Sequence, residues 1–130
     1  MKHIFYTSLF TMMSLSIKAQ TFNGTFGLIP DDLSTIVFEA DVSGLPQTMD
    51  TTNFGLEEIC FNITHTYDSD LTIRLKSPSG KIITLIESIG GDQDNFTLTC
   101  LNSFSTQSIF NGSGPFTGTW RPVGDLGTIN

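Results

Sequence analysis

One histidine, two aspartates and two nearby serines are the residues of this chain whose types could support hydrolysis. They are His65, Asp68, Asp70, Ser69 and Ser79. A serine nucleophile needs an adjacent base, a third group that orients the base, and an oxyanion site. Neither serine lies in a Gly-x-Ser-x-Gly elbow or another activating context. We therefore predict that the chain is not an enzyme, and that His65 is a structural corner residue with Asp70 as its expected partner.

The segment from Gly91 to Asn95 is the stronger candidate for metal chemistry. Calcium takes six to eight oxygen ligands, and a Gly-loosened acidic loop can supply several of them. Asp68 and Asp70 would complete the shell if their corner lies beside this loop. Calcium is the one cofactor that the sequence suggests, and a solvated polar turn without an ion stays open as the alternative. The candidate calcium ligands are Asp92, Asp94, Asn95 and Asp70.

Cys60 and Cys100 are the only cysteines. In a secreted chain an even pair indicates one disulfide, here closing a loop of about 40 residues that would stabilise the fold by roughly 3–4 kcal/mol. Cys60 alternates out of phase with Ile59 and Phe61, so we expect a bridge between outer faces or at a strand edge. Two free thiols are the alternative. A zinc site is not predicted, because these cysteines and His65 lack paired short spacings.

Alternating apolar and polar residues predict that β-strands carry these groups. In residues 70–76, Leu71, Ile73 and Leu75 alternate with polar residues, the period of a strand with one buried face. A Ser-Pro-Ser-Gly turn follows at 77–80. Short strands separated by turns favour a β-sandwich or barrel. Further strands are predicted at 36–42, 57–66, 81–87 and 96–100, with weaker pieces near Phe104, 109–110 and 117–120.

Four large aromatic residues stand out in the Gly-rich end of the chain: Phe104, Phe110, Phe116 and Trp120. An exposed aromatic surface could stack on the rings of a glycan. Because large aromatic side chains are usually buried, we expect all four to fill the core of the sandwich.

Residues 1–19 are typical of a secretory signal peptide. Lys2 and His3 precede an apolar run, and Ala19 provides a small residue at the end. The run is too short, and too rich in Ser and Thr, for a membrane span. Loss of Lys2 and Lys18 with this segment changes the net charge from −7 to −9. We expect a secreted or cell-surface protein without a membrane span, and so acidic a chain does not suit nucleic acid as a partner.

Several distinctive short segments follow one another along the chain in a definite order: FGLE at 54–57, ICFNITHT at 59–66, SDLTI at 69–73, SPSG at 77–80, GGDQDNF at 90–96 and PFTGTWRP at 115–122. In this order and spacing they resemble the P/Homo B domain, the P domain that accompanies subtilisin-like proprotein convertases, in the form found in secreted proteins of Bacteroidetes-like bacteria. The resemblance implies an all-β, galactose-binding-like jelly-roll sandwich over residues 36–130, after an irregular lead-in at 20–35. Relatives continue beyond the segment that matches 115–122, so we expect a C-terminally incomplete domain that lacks its last strand or two.

The resemblance also implies a function. A P domain is a non-catalytic accessory domain that packs on a subtilisin-like serine endopeptidase and supports its folding, stability or calcium response. The expected partner is such a protease domain, or another module of the same secreted protein, and the expected process is proteolysis carried out by that partner. The alternative is a cell-surface adhesion module or a glycan- or protein-binding β-sandwich, because here the domain follows the predicted signal peptide with no protease before it.

Overall fold

A computed structural model of the chain describes residues 19–45 and 55–129. These residues fall into two compact units that divide after Ser43. The predicted signal peptide lies outside the described residues except for Ala19, so it stays a prediction.

The first unit is irregular over its described residues. A single isolated bridge pairs Gly24 with Ala40, and next to it the backbone N–H of Thr25 donates to the carbonyl of Glu39 at 2.7 Å. The strand predicted at 36–42 is wrong, because only Ala40 forms a bridge. All side chains of that segment are exposed, so the pattern of apolar residues there does not mark a buried face.

The second unit contains five β-strands in its described part. They are β1 (Glu58–Ile63), β2 (Thr72–Lys76), β3 (Ile82–Glu87), β4 (Phe96–Asn102) and β5 (Gly118–Trp120). β1 pairs antiparallel with β4, and β4 pairs in parallel with β5, while β2 and β3 form a separate antiparallel hairpin. Single turns of 3₁₀ helix lie at Asp68–Asp70, Ile109–Asn111 and Leu126–Thr128. The described ranges contain no helix with the length and apolar character needed to cross a membrane.

The two sheets bury one shared core. Its fully buried side chains come mainly from β3, β4 and the segments after β4, and the inward residues of β1 and β2 pack against them. The prediction of an all-β sandwich is confirmed, as are the strands predicted at 57–66, 70–76, 81–87, 96–100 and 117–120, with ends shifted by a few residues. The buried set is Leu85, Ile86, Ile89, Phe96, Leu101, Ile109, Phe116 and Leu126.

A β-bulge adjusts the hairpin to this core. The register between β2 and β3 shifts between Ile73 and Arg74, which gives β3 one extra residue. A bulge breaks the strict alternation of faces, and accordingly the consecutive residues Leu85 and Ile86 are both buried. Simple period-2 reasoning would have placed one of them in solvent.

Candidate functional site

The loop before β4 packs against the 3₁₀ turn before β2. The backbone N–H of Asp68 donates to the carbonyl of Gln93 at 2.9 Å, and that of Ser69 donates to the carbonyl of Gly91 at 3.3 Å. These bonds join two polar segments that are separated in sequence by the whole β2–β3 hairpin. We call the resulting site the polar corner, residues 65–70 and 90–95.

Asp68 is the buried acidic residue of the polar corner. Its side chain is fully buried, and neither carboxylate oxygen has a hydrogen-bond partner among the described residues. Burial raises the pKa of this carboxyl and the nearby charge of Asp94 raises it further, whereas the backbone N–H of Asn95 and the His65 ring lower it. A buried carboxylate without a partner is costly in free energy, so this group calls for a compensating ligand or proton.

Gly90 makes the close approach to Asp68 possible. A Cβ at this position would lie 2.8 Å from the Cβ of Asp68 and 3.1 Å from the ring of Phe116. The residue also has φ of +91°, a conformation that glycine adopts at little cost and other residues rarely adopt. Glycine is therefore favoured at position 90 by packing as well as by the backbone conformation.

His65 is a structural residue of the corner. Its Nδ1 lies 3.0 Å from the carbonyl oxygen of Tyr67 and 3.2 Å from the Tyr67 nitrogen, so the ring either donates to one or accepts from the other, according to its tautomer. Its backbone N–H donates to Oδ1 of Asn95 at 3.1 Å. The ring therefore contacts the backbone of Tyr67, where the sequence led us to expect Asp70. Asp70 is exposed at the end of the 3₁₀ turn, and no hydrogen bond joins it to the ring in the described part of the chain.

The four predicted calcium ligands all lie at the polar corner, but none of them is buried. Asp70, Asp92 and Asp94 are exposed, and Asn95 is half-buried with its Oδ1 engaged by His65. Within the described ranges, no three acidic, His or Cys side chains of this corner bring their ligand atoms within 4.8 Å of one another. Calcium binding by these residues stays a prediction.

Asp68 is the residue that sequence reasoning undervalued. In the calcium prediction Asp68 served only to complete the ligand shell. Its residue type is that of Asp70, which is exposed, and its polar neighbours in the sequence resemble those of Asp70. Only its packing against Gly90 distinguishes it, and a single sequence does not show that contact.

The two cysteines face each other across β1 and β4. Cys60 and Cys100 are register partners with Cα atoms 4.0 Å apart, and the structure joins them by a disulfide of 2.06 Å. Their neighbours Ile59 and Leu101 belong to the core side, so the bridge lies on the outer face of the sheet. Glu58 lies close to both sulfur atoms, but disulfide sulfurs are not thiolates, so this trio does not form a metal site.

The four aromatic residues divide into two pairs. Phe116 is buried and Trp120 packs half-buried against the core, as predicted. Phe104 and Phe110 are 88% and 62% exposed, so the prediction that they fill the core is wrong. Phe110 belongs to a 3₁₀ turn in which Ile109 takes the core position, and Phe104 belongs to the turn that follows β4.

Phe104 borders an open groove with a volume of about 410 Å³. The guanidinium of Arg121 donates to the carbonyl of Ser105 at 3.2 Å, and this bond holds the Arg121 side chain in place at one wall of the groove. Val123 adds an apolar side chain that is 43% exposed. The groove combines apolar side chains with one positive charge, on Arg121, and one negative charge, on Asp125. We call it the Phe104 groove; its walls include Ser103, Phe104, Arg121, Pro122, Val123 and Asp125.

A scan against protein families identifies the segment that contains these features. Residues 58–121 match the family model of the proprotein convertase P-domain. This segment is a P-domain. The matched segment runs from the start of β1 past the end of β5 and includes the polar corner, the disulfide and Phe104. The predicted resemblance to a P/Homo B domain is confirmed over these residues. Comparisons with curated proteins and with solved structures gave no match.

The P-domain is the accessory, non-catalytic domain of subtilisin-like proteases, and such domains occur in secreted proteins.

Proposed function

We propose that this chain is a secreted accessory module that binds a subtilisin-like protease domain and stabilises it without performing a reaction itself. The match of residues 58–121 to the P-domain family carries the proposal. The partner is a separate protein or a further module of the same protein. Secretion is supported by the signal-peptide pattern of residues 1–19 and by the acidic net charge.

Two of the groups that could have supported hydrolysis, His65 and Ser79, make structural contacts. Nδ1 of His65 contacts the Tyr67 backbone, and the hydroxyl of Ser79 pairs with that of Ser77 at 2.7 Å. A triad needs the histidine ring to contact a serine hydroxyl and an orienting carboxylate. These contacts support a non-catalytic role for the described part of the chain.

The Phe104 groove is the surface that we assign to the protease domain. Aromatic side chains that become buried at a protein interface commonly contribute a large share of its binding energy. Phe104 exposes most of its ring and Val123 adds apolar surface, while Arg121 and Asp125 supply polar contacts at the rim. If only the folded protease domain binds this surface, the binding stabilises the folded state of the protease by mass action.

The proposal is tested with secreted proteases from the source organism. Subtilisin-like enzymes are labelled with a fluorophosphonate active-site probe, purified, and incubated at elevated temperature with and without the purified chain. We expect the chain to lengthen the inactivation half-life of one such protease, and the Phe104→Ser variant to lengthen it less. A set of labelled proteases whose half-lives are all unchanged by the chain would exclude this function.

The second candidate is a glycan-binding module, which the exposure of Phe104 and Phe110 favours. Sugar rings stack on exposed aromatic faces. Binding of the chain to a glycan array, lost in a variant with both residues changed to Ser, would support this alternative instead.

A further inference from the structure

We propose that the β2–β3 hairpin binds an acidic peptide segment of a partner protein through the side chains of Arg74, Lys76 and Lys81. We call these three side chains the basic patch. None of them lines the Phe104 groove or belongs to the polar corner. The proposal therefore concerns a separate surface and does not depend on the identity of a protease partner.

The positive charges of this acidic chain are concentrated on the hairpin. The sequence has six Lys and Arg against 13 Asp and Glu, and two of the six, Lys2 and Lys18, lie in the predicted signal peptide. Three of the other four lie within residues 74–81. The fourth, Arg121, donates to the carbonyl of Ser105 at the Phe104 groove. A chain with so few cations thus places most of them at one site.

Strand geometry brings Arg74 and Lys76 to the same face of the hairpin. Both are exposed positions of β2, separated by one half-buried residue, and such side chains project from one face of a strand about 6.6 Å apart. Lys76 is the register partner of Ile82, so the preceding residue, Lys81, lies beside it at the end of the hairpin. There the backbone N–H of Ser77 donates to the carbonyl of Lys81 at 2.8 Å, which holds the two strand ends together.

The basic patch is not neutralised by the residues that the structure describes. None of its three side chains makes an ion pair or a hydrogen bond with another residue of 19–45 or 55–129. The residues opposite Arg74 and Lys76 on β3 are uncharged, and Glu87, the one acidic residue of the hairpin, is paired with Thr72 instead. The three charges are therefore available to an anionic group from outside these ranges.

Carboxylates on an extended peptide match the patch in spacing and in chemistry. In an extended chain every second side chain projects to the same side, at the same repeat of about 6.6 Å as in β2. Alternate Asp or Glu residues can therefore meet Arg74 and Lys76 together. A guanidinium pairs bidentately with a carboxylate, and an ammonium supplies a point charge. Ile82, which is 56% exposed beside Lys76, adds an apolar contact for the intervening residues.

A long polyanion suits this patch less well than a short acidic segment. Nucleic acids and sulfated polysaccharides gain affinity when a protein neutralises many charges in series, and the patch offers three. Outside the patch, residues 20–130 carry 13 acidic residues and one basic residue, Arg121. This negative surplus repels a polyanion that extends beyond the hairpin.

The test is a titration of the isotope-labelled chain with a short peptide that has glutamate at every second position, followed by amide chemical shifts in NMR. The control peptide has glutamine at the same positions. We expect the glutamate peptide to shift the amides of 72–76 and 81–84, with a dissociation constant of about 10⁻⁴ M at low salt, as for a few exposed ion pairs. The glutamine peptide should cause no shifts. Raising NaCl to about 0.3 M should weaken binding severalfold, because exposed charges are screened.

Matched variants test whether charge carries the binding. Combining Arg74→Gln, Lys76→Gln and Lys81→Gln should weaken it about tenfold or more, and each single change about twofold to fivefold, as for one exposed ion pair. Lys76→Arg keeps the charge and should stay within about twofold of wild type. Thr119→Glu is the control. It changes the net charge as much as one Gln variant does, but on the outer face of the other sheet, where Thr119 pairs with Cys100. It should alter the affinity less than about twofold.

Three results would overturn the proposal: no amide shift at about 10⁻³ M glutamate peptide, equal affinities of wild type and the triple Gln variant, or at least about tenfold tighter binding of heparin, a sulfated polysaccharide, by the same residues. If the triple variant does not fold, Lys76→Gln and Lys76→Arg decide, and equal affinities of those two contradict the proposal. No protease enters the experiment, so its outcome is independent of the function proposed above.

Discussion

Phe116 and Phe104 both lie in irregular segments after β4, yet one is 1% exposed and the other 88% exposed. Phe116 stacks on Phe96 with ring centroids 4.9 Å apart. Two glycines, Gly90 and Gly112, leave space for its ring, since a Cβ at either would lie within about 3 Å of it. Phe104 has no such enclosure. The difference shows that the missing side chains of neighbouring glycines, rather than the aromatic residue itself, decide which ring enters the core.

The two rings accordingly have different consequences for the molecule. The Phe116 region closes the core beneath the polar corner, and its carbonyl oxygen accepts from Oγ1 of Thr99 at 2.9 Å and from Nε1 of Trp120 at 2.8 Å. The Phe104 region presents an open apolar surface. We therefore expect changes near Phe116 to affect folding, and changes at Phe104 to affect binding.

The largest expected effect comes from Phe116→Ala. Removing a buried aromatic ring should lower the free energy of unfolding by about 3–5 kcal/mol, through lost burial and the cavity left behind. Phe104→Ala is the matched control and should change it by less than about 0.5 kcal/mol, as surface substitutions usually do. Urea unfolding followed by Trp120 fluorescence measures both. Similar losses of unfolding free energy in the two variants would contradict the claim that Phe116, and not Phe104, supports the fold.

A smaller loss is expected from Gly90→Ala. The new Cβ would meet Asp68 and Phe116 and would force alanine to adopt φ of +91°, which together should cost about 2–4 kcal/mol. Gly91→Ala is the control, because Gly91 also has positive φ but nothing lies within 4 Å of an added Cβ. That variant should lose only about 1 kcal/mol. Equal losses measured by denaturant unfolding would show that backbone strain, and not packing on Phe116, makes Gly90 necessary.

The smallest effect is expected from Trp120→Phe. It removes the hydrogen bond to the Phe116 carbonyl, at a cost of about 1 kcal/mol, while Thr99 still donates to the same oxygen. Adding Thr99→Val would leave that carbonyl without either donor, so the double variant should lose more than the sum of the single losses. Strict additivity in a double-mutant cycle would indicate that the two donors do not share one acceptor.

The strand pattern was predictable from the sequence because the inward residues of β1 and β2 follow a strict period of two. The alternation of Leu71, Ile73 and Leu75 corresponds to half-buried positions, and polar residues between them are exposed. Residues 36–42 had an equally apolar composition, but within the described ranges they pair only through the isolated bridge between Gly24 and Ala40. Alternation predicts a strand only when another strand pairs with it, and one sequence does not specify that pairing.

The site was less predictable than the strands. The sequence showed where the acidic turns of the polar corner lie, because Asp, Asn and Gly are typical of turns. It did not show which of the acidic side chains is buried. Asp68 and Asp70 are two residues apart and chemically identical, yet only Asp68 meets Gly90. Likewise, the burial of Phe116 depends in part on Gly90, which is distant in sequence, and residue type alone does not distinguish buried Phe116 from exposed Phe104.

The affinity of the chain for the proposed protease partner, compared between wild type and Phe104→Ser, tests the central claim most directly. Calorimetry or surface-based kinetics with the purified protease domain supplies the two dissociation constants, after unfolding measurements show that both chains are equally stable. We predict at least a tenfold weaker complex for Phe104→Ser, about 1.4 kcal/mol, as expected for an aromatic anchor. Equal affinities would contradict the claim that the Phe104 groove is the surface through which this P-domain acts.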